Sequence, residues 1–401
     1  LLVLDDVSGG DTPKAESGWL IEREESDLAF IVYTSGTTGN PKGVMLTFAN
    51  LYANMKAVYE AKYYYEGIRV LALLPFHHIL PLMGTVVMPL SICGKLVFPK
   101  SLSPIDMAEA LQKYPVDMVI AVPRFYELLH TNILAKISQS KLASALFKAA
   151  KFANSEFLSQ KIFSAIHKKF GGEVKFWISG GAALDRKVWH DLSALGFGIR
   201  EGYGMTECGP LLTYDNWKTF RQSSCGKAVP RVELRIDSGD PQHIVGEILA
   251  KGICVMTGYY KNPEATAAAI DRDGWLHTGD MGIIDQDGYL FIKGRCKNMI
   301  LSSNGQNIYP EEIEDKLNNM PYISESIVIE KEGKLVALIY PDFDLVNEEK
   351  ITDEKLDELM TANLKEINQQ LPAYSQLNTY KLYNEEFEKT PKRSIKRFLY
   401  Q

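Results

Sequence analysis

At 401 residues the chain is long enough for a large core and two or more domains, and its 46% hydrophobic and 23% charged residues are ordinary for a soluble globular protein. Its 50 acidic and 44 basic residues leave a formal charge of −6, which gives no footprint for nucleic acid. No uncharged apolar run reaches ~18 residues, so no transmembrane helix is expected.

The chain opens on Leu1-Leu2-Val3-Leu4, which reads as the end of a strand. No basic stretch and apolar core precede a cleavage site, so no signal peptide is expected. The expectation is a chain that starts inside a larger protein. Cys93, Cys208, Cys225, Cys254 and Cys296 are odd in number and form no C-x-x-C pair. Reduced thiols in a cytoplasmic protein are the simplest reading.

Short apolar runs at 28–33, 70–74, 95–98, 118–122 and 174–178 read as buried strands. Helical patterns separate several of them. The alternation predicts an α/β region with parallel sheets flanked by helices. Residues 135–170 interrupt this order, with seven lysines and a single acid, Glu156. There Leu158, Ile162, Ile166 and Phe170 recur every four residues and predict one apolar helical face.

From about Val229 the texture changes. Runs at 231–236, 246–250 and 289–292 predict a small β subdomain with Gly-rich turns. After Gly294 it changes again. Strands are expected at 326–330 and 334–340. An acidic helix carrying Leu356, Leu359, Asn363–Leu364, Ile367 and Leu371 near helical spacing is expected to close at Pro372. The division expected is a large domain over 1–296 and a small α+β domain over 297–401.

The strongest local signal is Tyr33-Thr34-Ser35-Gly36-Thr37-Thr38-Gly39-Asn40-Pro41-Lys42-Gly43, directly after a strand. Its glycines let backbone approach an anion closely. Its hydroxyls and free N–H groups can donate to phosphate oxygens, and Lys42 adds positive charge. It is not a Walker A loop, because Pro41 stands where that motif needs glycine. A plain solvent-exposed turn seldom combines so many donors with a lysine.

This string resembles the phosphate loop of the acyl-adenylate-forming superfamily, which includes acyl-CoA synthetases, luciferases and peptide-synthetase adenylation domains. Further motifs follow in that superfamily's order over nearly the whole chain. The resemblance implies ATP contacts at Thr34, Ser35, Gly36, Thr37, Thr38, Gly39 and Lys42. In Leu74-Pro75-Phe76-His77-His78, His78 falls on a position that lines the acyl pocket. Ser179-Gly180-Gly181-Ala182-Ala183-Leu184 matches the segment along the adenine, which assigns Gly181, Ala182 and Ala183. A tight strand-to-helix turn is also consistent with those small residues.

Glu201-Gly202-Tyr203-Gly204-Met205-Thr206-Glu207 matches the superfamily's Y-G-x-T-E pattern. Tyr203 would stack on adenine beside Glu201 and Gly202. Thr206 would reach the α-phosphate or the acyl carboxylate. Glu207 would supply hard oxygen to Mg²⁺. In Trp275-Leu276-His277-Thr278-Gly279-Asp280, Asp280 matches the carboxylate that holds the ribose diol, although Gly279-Asp280 is also turn chemistry. Arg295 matches a ribose-contacting arginine, Lys297 the hinge on which the small domain rotates, and Gly305 a loop near the coenzyme A site. Pro310 and the acids after it suit the first turn of a helix without any ligand.

Two departures stand out. The superfamily's C-terminal lysine lies three residues before an arginine. If Arg397 is that arginine, Ser394 occupies the lysine position. Lys392, Arg393 and Lys396 lie close by, and Lys396 is preferred because a two-residue offset keeps the same side of an extended chain. Second, only 32 residues precede Tyr33, so the large domain is expected to lack its first part.

Among branches of the superfamily, the wording around Val122-Pro123-Arg124-Phe125-Tyr126-Glu127 and around Gly180 is most similar to bacterial long-chain fatty-acyl-CoA synthetases. The implied reaction is ATP-dependent formation of an acyl-AMP, then thioester formation with coenzyme A. Alternatives are an acyl-AMP ligase that loads a carrier protein and a nucleotide-binding fragment with little catalysis. The basic segment 135–170 is a candidate for peripheral contact with an anionic membrane; the competing reading is a helix packed on its own domain. No oligomeric state is assigned.

Overall fold

The computed structural model describes residues 22–34, 41–101, 104–153, 155–217, 219–302, 306–389 and 395–400. The expected strand at 1–4 lies outside them. The chain divides into two compact units. The first comprises 1–237, 249–278 and 284–291, the second 238–248, 279–283 and 292–401.

The first unit is organised by a seven-stranded sheet. Its order is Lys95–Val97, Arg69–Leu71, Met118–Ala121, Phe176–Ser179, Ile199–Tyr203, Thr213–Tyr214 and Lys227–Ala228. The first five strands are mutually parallel and the last two join antiparallel. The strands Arg69–Leu71 and Met118–Ala121 are apolar almost throughout because helices cover the sheet. Leu71, Val119, Ala121, Trp177 and Ile199 pack with Tyr126, Leu129, Ile133, Leu192 and Leu195 of flanking helices. Parallel strands require crossovers, so their carboxyl ends share one edge of the sheet. That edge is where open α/β sheets bind ligands.

The first strand differs from its expectation. Leu28–Thr34 is buried only at Val32 and is not in the parallel sheet. It forms an antiparallel three-stranded sheet with Lys42–Thr47 and Gly258–Tyr259. Only seven residues separate the first two strands (35–41), too few for a crossover.

Segment 135–170 also differs. It is not one amphipathic helix but the end of Pro123–Ser138, then Lys141–Ala153, Glu156–Ile162 and Ser164–Lys169. The chain breaks at Phe163, which is buried, so the periodicity does not continue through it. Leu158 and Ile162 are exposed, whereas Ile166 and Phe170 pack on the core.

In the second unit, Ile323–Lys331 and Lys334–Pro341 form a hairpin extended in parallel by Thr379–Leu382. The hairpin turns on Glu332 and Gly333, both at positive φ, the signature of a two-residue turn that matches strand twist. Helix Pro310–Leu317 starts with Pro310 and Glu311-Glu312 in its first turn, as expected. Helix Asp353–Gln370 is capped by Thr352 and ends before Pro372. Its buried line is Leu356, Met360, Asn363 and Ile367, so Leu359 and Leu364 are only half-buried.

Candidate adenylate-forming site

Four of the motifs lie at the carboxyl ends of the parallel strands. The His77-His78 segment follows Arg69–Leu71, and Val122-Pro123 follows Met118–Ala121. Gly180 to Leu184 follows Phe176–Ser179, and Gly204 to Glu207 follows Ile199–Tyr203. Ser179 pairs with Glu201, so the proposed adenine segments are neighbours. The Glu201 carboxylate accepts from the backbone N–H of Leu184 at 3.1 Å, tying the two loops together. Gly181 adopts φ +86, a left-handed conformation that glycine enters without penalty. Ala182 and Ala183 beside it are exposed; Gly202 is half-buried and Tyr203 is buried.

Thr206 and Glu207 occupy a short 3₁₀ turn and are both buried. Glu207 Oε1 accepts from the Tyr259 hydroxyl at 2.8 Å. Burial, with the charge of Glu207, pushes the Tyr259 pKa well up, so the hydroxyl stays a donor. Lys42 Nζ lies 4.9 Å from the centroid of the same ring. Lys42 therefore meets Glu207 through Tyr259, although the loop residues Ser35, Gly36, Thr37, Thr38 and Gly39 lie outside the described residues. Thr34 ends the preceding strand, and its hydroxyl faces the Lys42 carbonyl at 3.5 Å.

An apolar cavity of about 100 Å³ opens between helix Phe48–Glu60 and the ends of the parallel strands. Met55, Val58, Met83, Met88, Met118 and Ile120 form much of its wall, while Glu201, Gly202, Pro210 and Leu211 border it. Helix Phe48–Glu60 supplies Met55 and Val58, and the π-helical turn Leu82–Val87 supplies Met83 and Gly84. His78 immediately precedes the short helix leading into that turn, but Leu80 and Met83, not His78, line the cavity. Near its border, Arg200 is buried against Phe220 and Trp217 and paired with Glu156 at 3.0 Å. Asp215 is also buried there, and desolvation raises its pKa to about 7.

In the second unit, Arg295 Nε approaches Asp280 Oδ1 to 2.7 Å. The two residues that the resemblance assigned to the ribose are thus brought together. Asp280 is not in an exposed turn: it lies inside strand Leu276–Ile284 and is 5% exposed. Lys297 is exposed in the 3₁₀ turn Cys296–Asn298. Lys396 Nζ pairs with Glu388 at 3.1 Å, and its backbone N–H donates to the Glu388 carbonyl. Arg397 is largely buried, bonded to Glu314 at 2.6 Å and to the Val328 carbonyl at 3.1 Å. Gly305, Lys392, Arg393 and Ser394 lie outside the described residues.

Sequence reasoning missed Tyr259, which no carboxylate or glycine pattern announces; its one signal is aromatic character beside Gly258. It also missed Asn50 and Asn54, which read as polar positions in an otherwise apolar helix.

Residues 5–260 match the profile of the AMP-binding enzyme family, and residues 297–400 match the AMP-binding enzyme C-terminal domain. A long-chain-fatty-acid–CoA ligase of Salmonella typhimurium is 34% identical over 303 residues, covering 72% of this chain and 47% of that protein. A ligase of the same name from Bacillus subtilis is 32% identical over 318 residues, covering 76% and 50%. The chain spans about half the length of these curated relatives.

Among solved structures, ATP-bound MatB from Rhodopseudomonas palustris is 26% identical with a TM-score of 0.76, covering 95% of this chain and 69% of that one. O-succinylbenzoate coenzyme A synthetase of Bacillus subtilis, 23% identical with a TM-score of 0.73, covers 94% and 69% and shares the fold. With its larger part matched to the family's main domain and its end to the family's C-terminal domain, the chain belongs to the AMP-binding enzyme family.

Proposed function

We propose that this chain activates a fatty acid with ATP as an acyl-AMP and then transfers the acyl group to coenzyme A. The observation that carries the acyl choice is the apolar cavity beside Glu201, Gly202, Pro210 and Leu211. Its methionine-rich wall suits a flexible alkyl chain, because thioether side chains adapt to irregular shapes. The relatives named as long-chain-fatty-acid–CoA ligases support the same class.

A carboxylate is a poor electrophile because its leaving group is poor. In the first half-reaction a carboxylate oxygen attacks the α-phosphorus of ATP and pyrophosphate leaves. In the second, the coenzyme A thiol attacks the acyl carbon, loses its proton, and AMP leaves. No protein nucleophile is required; the protein holds the reactants in line and stabilises developing charge. Thr206 is proposed to hydrogen-bond near the reacting phosphate and carboxylate. Lys42 is proposed to neutralise phosphate charge, and Asp280 with Arg295 to hold the ribose. The adenine is assigned to the segments around Gly181 to Ala183 and Glu201 to Tyr203, and residues 297–401 to a lid hinged at Lys297.

Among the described residues no group of three or more His, Cys, Asp or Glu could hold a metal by itself. Mg²⁺ takes one or two carboxylates and completes its shell with phosphates and water. Glu207 is the carboxylate proposed to hold it, with Oε1 fixed by Tyr259. When bound, the ion would neutralise triphosphate charge.

The test is ATP–pyrophosphate exchange and coenzyme A-dependent AMP release across fatty acids of increasing length. Fatty acid-dependent exchange with coenzyme A-dependent AMP release supports the reading. Exchange without a coenzyme A requirement points to a ligase that loads a carrier protein. Nucleotide binding without exchange points to a binding fragment.

We also propose that helix Lys141–Ala153 rests on an anionic bilayer. Phe147 and Ala150 face the core, whereas Leu142, Leu146 and Ala149 form an outward stripe with Phe152 at its edge. Leu142 is 71% and Phe152 95% exposed. Lys141 and Lys148 lie along one side of the stripe, next to Phe152, so apolar insertion and attraction to anionic headgroups can act together. No described helix is long and apolar enough to cross a membrane. Flotation with phosphatidylglycerol vesicles at low salt, lost in Leu142→Asp and at high salt, supports the contact. Absence of flotation, or light scattering in which the same variant dissolves a dimer, overturns it.

A further inference from the structure

Helix Phe48–Glu60 turns two asparagines inward, Asn50 and Asn54, one turn apart and 5% and 4% exposed. A buried side-chain amide left without partners is costly, so each should have its bonding capacity used. Asn50 Oδ1 accepts from the Thr47 N–H at 2.8 Å and caps the helix start. Its Nδ2 donates to the Ile253 and Val255 carbonyls at 2.6 and 2.9 Å. Asn54 Nδ2 donates to the Cys208 carbonyl and Oδ1 accepts from the Leu211 N–H, both at 2.8 Å.

The two carboxamides therefore grip two loops from one rigid element. The loop held by Asn54 is the one that begins with Thr206 and Glu207. It is also closed on itself: a Cβ at Gly204 would stand 1.9 Å from the Pro210 carbonyl oxygen. The loop held by Asn50 returns to the first, since the Met256 N–H donates to the Glu207 carbonyl at 2.8 Å. Three residues further on, Tyr259 reaches the Glu207 carboxylate itself. Asn54, Pro210 and Leu211 also border the apolar cavity, so one amide touches both the wall of that cavity and the loop carrying Glu207.

We infer that Asn54 is a positioning residue for acyl-adenylate formation: its carboxamide, bridging Cys208 and Leu211, sets where Thr206 and Glu207 stand relative to the acyl cavity. Asn50 performs the parallel service for the loop that orients Glu207 from the other side. This inference rests on the adenylation reading of the site, and Asn54 itself contacts no reactant. An asparagine suits the position better than other residues of its size. Aspartate would lose the donor to Cys208, and leucine would orphan both backbone groups in a buried place.

The experiment compares the full chain with Asn54→Leu and Asn54→Asp, each alone and combined with Glu207→Gln. Asn54→Leu is expected to lower the rate of pyrophosphate exchange by about 10-fold or more and to raise the Mg²⁺ concentration for half-maximal rate. AMP affinity should be little changed. On the Glu207→Gln background most of that rate loss should vanish, because the amide acts through the residue already removed. Losses that simply multiply would overturn the inference and leave a packing role. Amide hydrogen exchange supplies a readout independent of activity: Asn54→Leu should deprotect residues 206–211 while leaving the strands of the parallel sheet protected. Unchanged protection there overturns the inference even if exchange activity falls. If the wild-type chain has no exchange activity, the adenylation reading fails and the positioning role in that reaction falls with it. The amide measurement then reports only whether Asn54 holds the loop. Should Asn54→Leu fail to fold, Asn54→Asp, which keeps the acceptor for Leu211, carries the same comparison.

Discussion

The hydroxyl of Tyr259 donates to Glu207 Oε1 across 2.8 Å, and the face of the same ring receives Lys42 Nζ at 4.9 Å from its centroid. One aromatic side chain thereby connects the end of the phosphate loop to the carboxylate proposed for Mg²⁺. Strand pairing explains the meeting: Tyr259 pairs with Val44, two residues after Lys42.

Tyr259→Phe keeps the ring for Lys42 and removes only the bond to Glu207. Losing a hydrogen bond to a charged acceptor costs about 1.5–3 kcal/mol, so adenylate formation should fall about 10- to 100-fold while the fold persists. Glu207→Gln should fall by well over ~10-fold, and adding Tyr259→Phe to it should cost little more. Pyrophosphate exchange on the four proteins checks this; strictly additive losses would separate Tyr259 from Glu207.

Asp280→Ala should weaken nucleotide binding and also destabilise the chain, because Asp280 is buried in a strand and paired with Arg295. Removing a buried partner from a half-exposed ion pair should cost about 1–3 kcal/mol. Thermal unfolding with and without AMP reads both effects. An unchanged melting temperature would contradict the buried pairing, and an unchanged AMP affinity in the folded fraction would remove Asp280 from the ribose site.

Asp215 should make the chain less stable at alkaline pH. Its folded pKa is raised from 3.8 to about 7 by burial, and its Oδ1 has no partner among the described residues. Between those two values the folded state binds more protons than the unfolded state, so this group's contribution to stability falls as pH rises. The loss is complete above about pH 7. Asp215→Asn should therefore gain stability relative to wild type at pH 8 and little or none at pH 4, by up to a few kcal/mol. Denaturation at the two pH values measures it; equal effects at both would exclude a raised pKa.

Lys396→Ala should reduce acyl-AMP formation while leaving thioester formation from supplied acyl-AMP nearly intact. Charge at the α-phosphate matters most in the first transition state. The pair of Lys396 with Glu388 is solvent-exposed and holds the lysine weakly, by about 0–1 kcal/mol, so the side chain is free to leave it. Separate assays of the two half-reactions decide the matter. Equal losses would indicate packing, and no loss would move the assignment to Lys392 or Arg393.

Much of the site was legible in the sequence because its parts are contiguous. Gly180 to Leu184 and Gly204 to Glu207 each pair a strand end with loop chemistry, and both elements depend on neighbours in the chain. The start of helix Pro310–Leu317 was readable for the same reason, since capping and first-turn charge are local. Periodicity was less informative where the backbone changes course. Leu158 and Ile162 share a spacing with Ile166 and Phe170 but not a face, because the helix ends at Phe163.

By itself the sequence determined the α/β class, the order of the motif segments and the residue types proposed for phosphate, ribose and metal. Hydrogen-bonding capacity and hydrophobic period belong to short stretches of chain. Only the tertiary structure decided which of those residues meet. Tyr259 lies 52 residues from Glu207, and Asn54 lies 154 from Cys208. Asp280 reads as a turn residue yet is a buried strand residue held by Arg295. Such pairings follow from the packing of distant segments, whose burial and hydrogen-bond satisfaction are settled jointly and leave no mark in either segment alone.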